Sequence, residues 1–445
     1  MFALHIENVR CFTNPPPAPL APVTVLVGEN STGKSTFLAM LRLVSDILKA
    51  PLSFNFNEEP FLLGAFQDVA NRTDDGVLAE SFSVGIFSRT LSADPRASET
   101  GFGETAFFNA TFASRKGQPY LAKWQVECAP HGCVLTFSDK TALDKVEVSS
   151  PKGRYAVSGP GLARIPLQVT TVFGIRGVVW RRSAIRGSER DFSTEGNPPD
   201  DSDLDTIDRL IDAFASFLAI RPYATAPIRT KPRRTYDPLS TSPDPEGTHI
   251  PMVLATTLTE NTSEARSLER ALQEFGAASG LFHSITVKRL GDEEATPFQI
   301  RLGFEGQPAF NLADVGYGVS QALPILVDIL RSEPGSTLLI QQPEVHLHPR
   351  AQAQLGTLLM RLAESQNKRF VVETHSDYLV DRIRMEVRDD EAISPDDAQI
   401  LYFQREEDGS VQIYPLELDC EGNITNAPPS YRDFFLREEH RFIGV

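Results

Sequence analysis

Little in this chain of 445 residues equips it to cross a membrane, cage a metal or staple itself covalently. Four cysteines are too few for the disulfide framework of a secreted scaffold, so a reducing cytoplasm is the expected setting. No apolar run approaches the roughly 20 residues of a transmembrane helix. The start, Met1-Phe2-Ala3-Leu4-His5-Ile6-Glu7, lacks the basic and apolar regions of a signal peptide, and no membrane partner is expected. Basic charge is also scarce. With 43 Lys and Arg against 59 Asp and Glu the net charge is −16, which excludes a general affinity for nucleic-acid phosphates. Two local runs, Arg176…Arg181-Arg182…Arg186 and Arg229…Arg233-Arg234, leave room for a confined anion site. Cys128-Ala129-Pro130-His131-Gly132-Cys133 offers three metal-binding side chains with no fourth nearby, and Pro-His-Gly reads as a turn. A hairpin is expected there, not zinc. No heptad pattern persists, so no long coiled-coil arm is expected.

What is present is concentrated in Gly28-Glu29-Asn30-Ser31-Thr32-Gly33-Lys34-Ser35-Thr36, which fits the phosphate-binding pattern G-x-x-x-x-G-K-[ST]. Val23-Thr24-Val25-Leu26-Val27 before it is a short, β-branched apolar run of the kind buried in a sheet. After it, Phe37, Met40, Leu41 and Val44 fall on one face of a helix. A strand, a glycine-bearing loop and a helix start aim backbone N–H groups and the positive end of the helix dipole at an anion. The expectation is a nucleotide cradle in which Gly28, Asn30, Ser31, Thr32, Gly33 and Thr36 line the phosphates. Lys34 reaches the β- and γ-phosphates, and Ser35 ligates Mg²⁺.

The organisation along the chain follows from changes of pattern. Alternation at Phe2, Leu4, Ile6 and Val9 predicts a first strand. Strand-like segments recur at Ser81–Phe87, Thr105–Phe112, Lys123–Glu127, Val134–Phe137 and Leu167–Phe173, separated by turns, and predict an antiparallel section. Residues 187–203 read as a polar loop. Leu204, Ile207, Leu210, Ile211, Phe214, Phe217 and Leu218 mark an amphipathic helix, and Leu268, Leu272 and Phe275 another. From about 296 onward strand and helix alternate as in an α/β core. We therefore expect a split nucleotide core: residues 1–75 and 296–445 flanking a β-rich and helical middle region, 76–295.

The C-terminal part ends two apolar strands in polar residues, where ligands meet an α/β sheet. Ser336–Ile340 runs into Gln341-Gln342-Pro343-Glu344-Val345-His346-Leu347-His348-Pro349, and Arg369–Thr374 into His375-Ser376. Ahead of them, Gly316-Tyr317-Gly318-Val319-Ser320-Gln321 opens an apolar helix with exposed amides suited to a phosphate.

In this order, with Phe66-Gln67-Asp68 after the phosphate loop, these segments resemble the ABC-type AAA ATPases that share a head-domain architecture with SMC proteins and OLD-family nucleases. The resemblance extends to Pro227-Ile228-Arg229…Pro232-Arg233-Arg234, to Gly247-Thr248-His249-Ile250-Pro251 and to the ending Gly422-Asn423-Ile424…Phe434-Phe435. It implies an α/β, ABC/SMC-head-like P-loop fold that binds ATP and Mg²⁺. Gln67 is then the Q-loop residue that senses Mg²⁺ and γ-phosphate. Gly316, Gly318 and Ser320 lie in the signature motif that faces a nucleotide held by a partner copy, and His375 is the switch histidine. The working unit implied is a head-to-head dimer.

Two motifs depart from the family pattern. Gly316 stands where the signature serine is usual, and Gln341-Gln342 replace the two acids that end the Walker B strand. Gln341 then occupies a metal-facing position, and Gln342 the place of the catalytic acid. An amide is no general base near pH 7, so Glu344 is the nearest acid for that work. Asp389-Asp390 and Asp396-Asp397 read as solvated acids, and no nuclease in cis is expected. The leading expectation is a slowly hydrolysing ATPase that senses or scaffolds and controls a separately encoded effector, plausibly a nuclease in anti-phage defence. The alternative is a DNA-repair ATPase whose closed dimer clamps DNA through Arg176–Arg186 or Arg229–Arg234. A transporter subunit fits the long middle region less well.

Overall fold

A computed structural model describes residues 2–51, 53–72, 75–88, 106–139, 143–159, 162, 193–218, 220–238, 242–260, 262–292, 296–431 and 441. The expected strand Leu167–Phe173, the Arg176–Arg186 run and Phe434-Phe435 lie outside these residues. The chain forms two compact units. The first comprises Met1–Leu20, Glu29–Arg221 and Phe403–Tyr414; the second comprises Ala21–Gly28, Pro222–Tyr402 and Pro415–Val445.

In chain order the strands are β1 (Phe2–Glu7), β2 (Ala18–Leu20), β3 (Val23–Gly28), β4 (Asn57–Glu58), β5 (Phe61–Leu62), β6 (Ser81–Ser88), β7 (Ala106–Arg115), β8 (Gln118–Cys128), β9 (His131–Phe137) and β10 (Leu143–Ser150). They continue with β11 (Gly153–Ser158), β12 (Ser193–Glu195), β13 (Tyr223–Thr225), β14 (Ser284–Arg289), β15 (Phe298–Gly303), β16 (Phe310–Asn311), β17 (Thr337–Gln341), β18 (Arg369–Glu373), β19 (Ala398–Arg405) and β20 (Val411–Leu416).

In the first unit an antiparallel sheet has the order β12-β11-β10-β9-β8-β7-β6-β1-β2 among the described residues. Alternation buries Leu4 and Ile6 of β1, Phe82, Val84 and Ile86 of β6, and Phe108, Ala110 and Phe112 of β7. In β8 the alternation changes phase. The register steps from Thr111↔Lys123 to Phe112↔Leu121, so Ala122 is an extra residue and both Leu121 and Trp124 face inward. The helices Lys34–Lys49 and Asp201–Phe217 belong to this unit. The second begins three residues before the predicted Leu204, because Asp200 supplies its cap. The Asp200 carboxylate accepts from Asp203 N at 3.0 Å, and Asp203 accepts in return from Asp200 N at 3.2 Å. The polar loop expected over 187–203 is therefore shorter and also contains β12. Cys128 and His131 pair across the β8–β9 hairpin, as expected. His131 Nε2 meets Asp203 Oδ1 at 3.3 Å, and burial pushes the Cys133 thiol pKa up. Among the described residues no group of three or more His, Cys, Asp or Glu could hold a metal ion.

In the second unit β13, β17, β18 and β3 run parallel in that order. Strands from the two ends of the chain thus lie side by side: Val372 pairs with Val25, and Glu373 with Leu26. Val23, Val25, Leu26, Leu338, Leu339, Ile340, Phe370 and Val372 are buried, as strands covered on both faces require. The helices Ser263–Ser279, Tyr317–Arg331, Pro349–Gln366 and Asp377–Asp389 belong to this unit, with a small antiparallel sheet, β14-β15-β16. The last two helices pack closely at Gly356, where a Cβ would stand 3.0 Å from Leu379 O. Among the described residues no helix is long and apolar enough to cross a membrane.

Candidate nucleotide site

The phosphate loop leaves β3 at Gly28, turns through Ser31 (φ 63°) and Gly33 (φ 87°), and starts the helix at Lys34. Gly33 has two reasons to be glycine. Its φ is left-handed, and a Cβ would lie 2.5 Å from Phe12 Cζ and 2.7 Å from Cys11 Sγ. Phe12 packs in turn against Phe403, ring centroids 6.1 Å apart. Lys34 is buried, its ammonium donating to Glu29 O at 2.5 Å, where the Thr32 hydroxyl also donates at 2.8 Å. Asn30, Ser31 and Ser35 are exposed.

Two arginines that sequence reasoning missed hold this loop within the first unit. Arg405 donates to Ser31 O at 2.6 Å. Arg10 donates to Thr36 Oγ1 at 3.0 Å, to Asp68 O at 3.1 Å and to Leu63 O at 3.2 Å, tying the helix start to the Gln67 segment. Gln67 itself lies exposed on the short helix Phe66–Val69. Phe66 anchors that turn, buried beside Phe82 at a centroid distance of 5.5 Å.

The second unit carries the other candidate residues at the carboxyl ends of its parallel strands. Gln341 and Glu373 are partners across β17 and β18, and Gln342 N donates to Glu373 O at 2.8 Å. Gln342 (φ 43°) and His346 (φ 68°) adopt left-handed backbone, so the chain turns sharply at the strand end. That turn brings Glu344 Oε1 to His375 N, which donates to it at 2.7 Å. Ser376 caps the next helix, accepting from Leu379 N at 3.0 Å.

Arg229 is a third missed residue. β13 runs parallel to β17, pairing Thr225 with Ile340, so the chain leaving β13 passes the end of β17. There the buried Arg229 donates through Nη2 to Gln341 O at 2.7 Å and to Gln342 O at 3.1 Å. Burial lowers its pKa to about 10, and the Glu344 charge opposes that shift. Its advance signals are the basic run Arg229…Arg233-Arg234 and the resemblance of Pro227-Ile228-Arg229 to the family. Within the Arg229–Arg234 run, Arg229 is buried at the strand end and Arg234 is paired with Asp314, Nη1 to Oδ2 at 2.9 Å, while Lys231 and Arg233 are exposed.

The signature segment caps and opens the helix Tyr317–Arg331, with Gly316 at the N-cap. Gly318 lies so close to His346 O that a Cβ would overlap it, and the Tyr317 ring meets the His346 ring edge-on at 4.9 Å. Gly316 and Tyr317 are exposed. Ser320 is not presented with them: it is buried, and its hydroxyl donates to Tyr317 O at 2.8 Å.

Mg²⁺ takes hard oxygen ligands and keeps several waters. Gln341 Oε1 is such an oxygen, buried with no hydrogen-bond partner among the described residues, and so is Glu344 Oε2. In the first unit the side chains of Ser35 and Gln67 also end in hard oxygens. By donor type, the residues of each unit fit the ion.

A glycine-rich loop between a buried parallel strand and a helix, in one chain with polar strand ends, defines a mixed α/β protein of the P-loop NTPase fold. Residues 185–381 match a family model described as an AAA domain, with the names AbiEii toxin and type IV TA system attached to it. That span includes Arg229, the signature segment, Gln341 to Glu344 and His375. A stretch of 104 residues is 32% identical to an OLD nuclease of Thermus scotoductus, covering 22% of this chain and 19% of that protein. The chain thus matches about a fifth of the nuclease's length. Solved SMC head domains also align. One from Pyrococcus furiosus, bound to the C-terminal domain of ScpA, has 10% identity and a TM-score of 0.42 over 99% of this chain and all of that one. One from Thermotoga maritima has 12% identity and a TM-score of 0.39 over 93% and 98%. The matches to the AAA-domain model and to part of an OLD nuclease support a resemblance of this chain to SMC/OLD-like ABC-type P-loop ATPases.

Proposed function

We propose that this protein binds ATP with Mg²⁺, hydrolyses it slowly, and works as a head-to-head dimer that controls a separately encoded effector. The observation that carries the reading is Glu344. Its Oε1 accepts from the switch segment at His375 N, while Oε2 is buried and without a hydrogen-bond partner among the described residues. A carboxylate so placed can hold the proton of an attacking water, work that Gln341 and Gln342 as amides cannot do. Lys34 neutralises phosphate charge, and Ser35, Gln67 and Gln341 offer oxygens to the ion. When bound, MgATP would supply the γ-phosphoryl group that water attacks with ADP as the leaving group, a reaction governed by positioning and charge. Gly316, Tyr317 and Gly318 present the helix start that a partner copy's nucleotide would meet. Control of an effector in defence is supported by the toxin–antitoxin family name and by the nuclease relative. The DNA-clamp alternative would draw on the exposed Lys231 and Arg233 of the second run, since Arg229 is buried and Arg234 paired.

Single-turnover hydrolysis, with light scattering with and without ATP, tests the reading on wild type, Lys34→Ala and Glu344→Gln. Both substitutions abolish turnover, and wild type dimerises with ATP. ATP binding without turnover makes the protein a nucleotide-gated scaffold, and no ATP binding overturns the reading.

A further inference from the structure

The end of the Walker B strand carries an arrangement that its own sequence does not explain. Four residues, Gln341 to Glu344, make a left-handed turn whose first two carbonyls converge on one guanidinium nitrogen, Arg229 Nη2. The remaining atoms of this cluster are buried and unpartnered among the described residues: Arg229 Nε and Nη1, Gln341 Oε1 and Glu344 Oε2. Unpartnered buried donors beside unpartnered buried acceptors are costly unless the groups serve a bound species or one another's charge. A left-handed Gln342 persists only where its surroundings over-determine it.

We propose that Arg229 is the positioning residue of this site: by clamping the carbonyls of Gln341 and Gln342 it fixes the turn that sets Glu344 against His375 and gives that carboxylate its counter-charge. The inference rests on the reading of Glu344 as the working acid. The strand end lacks the usual Walker B acids, and its alignment depends instead on a cation reaching in from the segment after β13. Lysine cannot replace it fully, because an ammonium on a flexible stem lacks the rigid planar group that holds Nη2 between the two carbonyls.

The test uses the full chain as R229M, R229K, E344Q and R229M/E344Q, with three readouts: melting temperature, affinity for a fluorescent ATP analogue, and single-turnover rate. A misplaced acid costs on the order of 100-fold in rate, so R229M loses about that much while analogue affinity changes little. R229K recovers part of the rate, and R229M adds no further loss in the E344Q background. Multiplying losses, a wild-type rate in R229M, or a matching collapse of affinity overturns the inference. If wild type binds ATP without turnover, the acid reading fails, and stability decides the clamp separately. A double variant whose melting temperature falls by less than the sum of the single falls upholds coupling of Arg229 to Glu344; a simple sum overturns it. Should R229M not fold, the same comparisons are made with R229K and R229K/E344Q.

Discussion

Lys368 is fully buried immediately before β18, and its ammonium donates to Ile329 O at 2.8 Å. No carboxylate pairs with it among the described residues, and burial lowers its pKa from 10.5 to about 8. One pKa unit is about 1.4 kcal/mol, so a shift of this size corresponds to a penalty of about 3 kcal/mol on the charged form. The penalty is full below about pH 8. Between about 8 and 10.5 the native chain has released a proton that the unfolded chain still binds, so this group's contribution to unfolding free energy rises with pH. Lys368→Met removes the charge and one hydrogen bond, worth about 1 kcal/mol net. Ile329 O keeps the Ser332 hydroxyl, which donates to it at 2.8 Å. The variant is therefore more stable than wild type at pH 7, by about 2 kcal/mol, and slightly less stable at pH 10.5. Urea denaturation of both proteins, followed by circular dichroism across this range, gives the difference directly. A difference that stays constant within about 1 kcal/mol over the range would refute the argument, because it would mean that Lys368 titrates alike in both states.

Three further substitutions probe the site. Gly33→Ala forces a left-handed alanine against Phe12 and Cys11, costs about 1–3 kcal/mol of stability, and lowers the melting temperature together with ATP affinity. Gly318→Ala drives a methyl group into His346 O at similar cost, seen as a fall in urea midpoint. Arg405→Ala frees the phosphate loop at Ser31 O but removes an exposed side chain. Calorimetry should show weaker ATP binding with the melting temperature nearly unchanged.

Much of the fold was legible because its signals are local. Hydrophobic period gave the strands through residues 81–137 and the helix from Leu204. The apolar strands before Gly28, Gln341 and His375 announced a buried parallel sheet, which β3, β17 and β18 form. The start of the helix at Asp201 was missed because a capping box lies in polar residues that hydropathy reads as loop. Ser320 looked available in the sequence because nothing there shows that its hydroxyl bonds back within its own helix.

By itself the sequence determined the phosphate loop, the polar strand ends and the paired amides Gln341-Gln342 at one of them, since each is a matter of residue type and spacing within about ten positions. Only the tertiary structure decided which cations serve those segments. Arg405 reaches Ser31 across 374 positions, and Arg229 reaches Gln341 across 112. Such partners depend on strand order and parallel register, which arise from packing between distant segments and leave no periodic trace in either one.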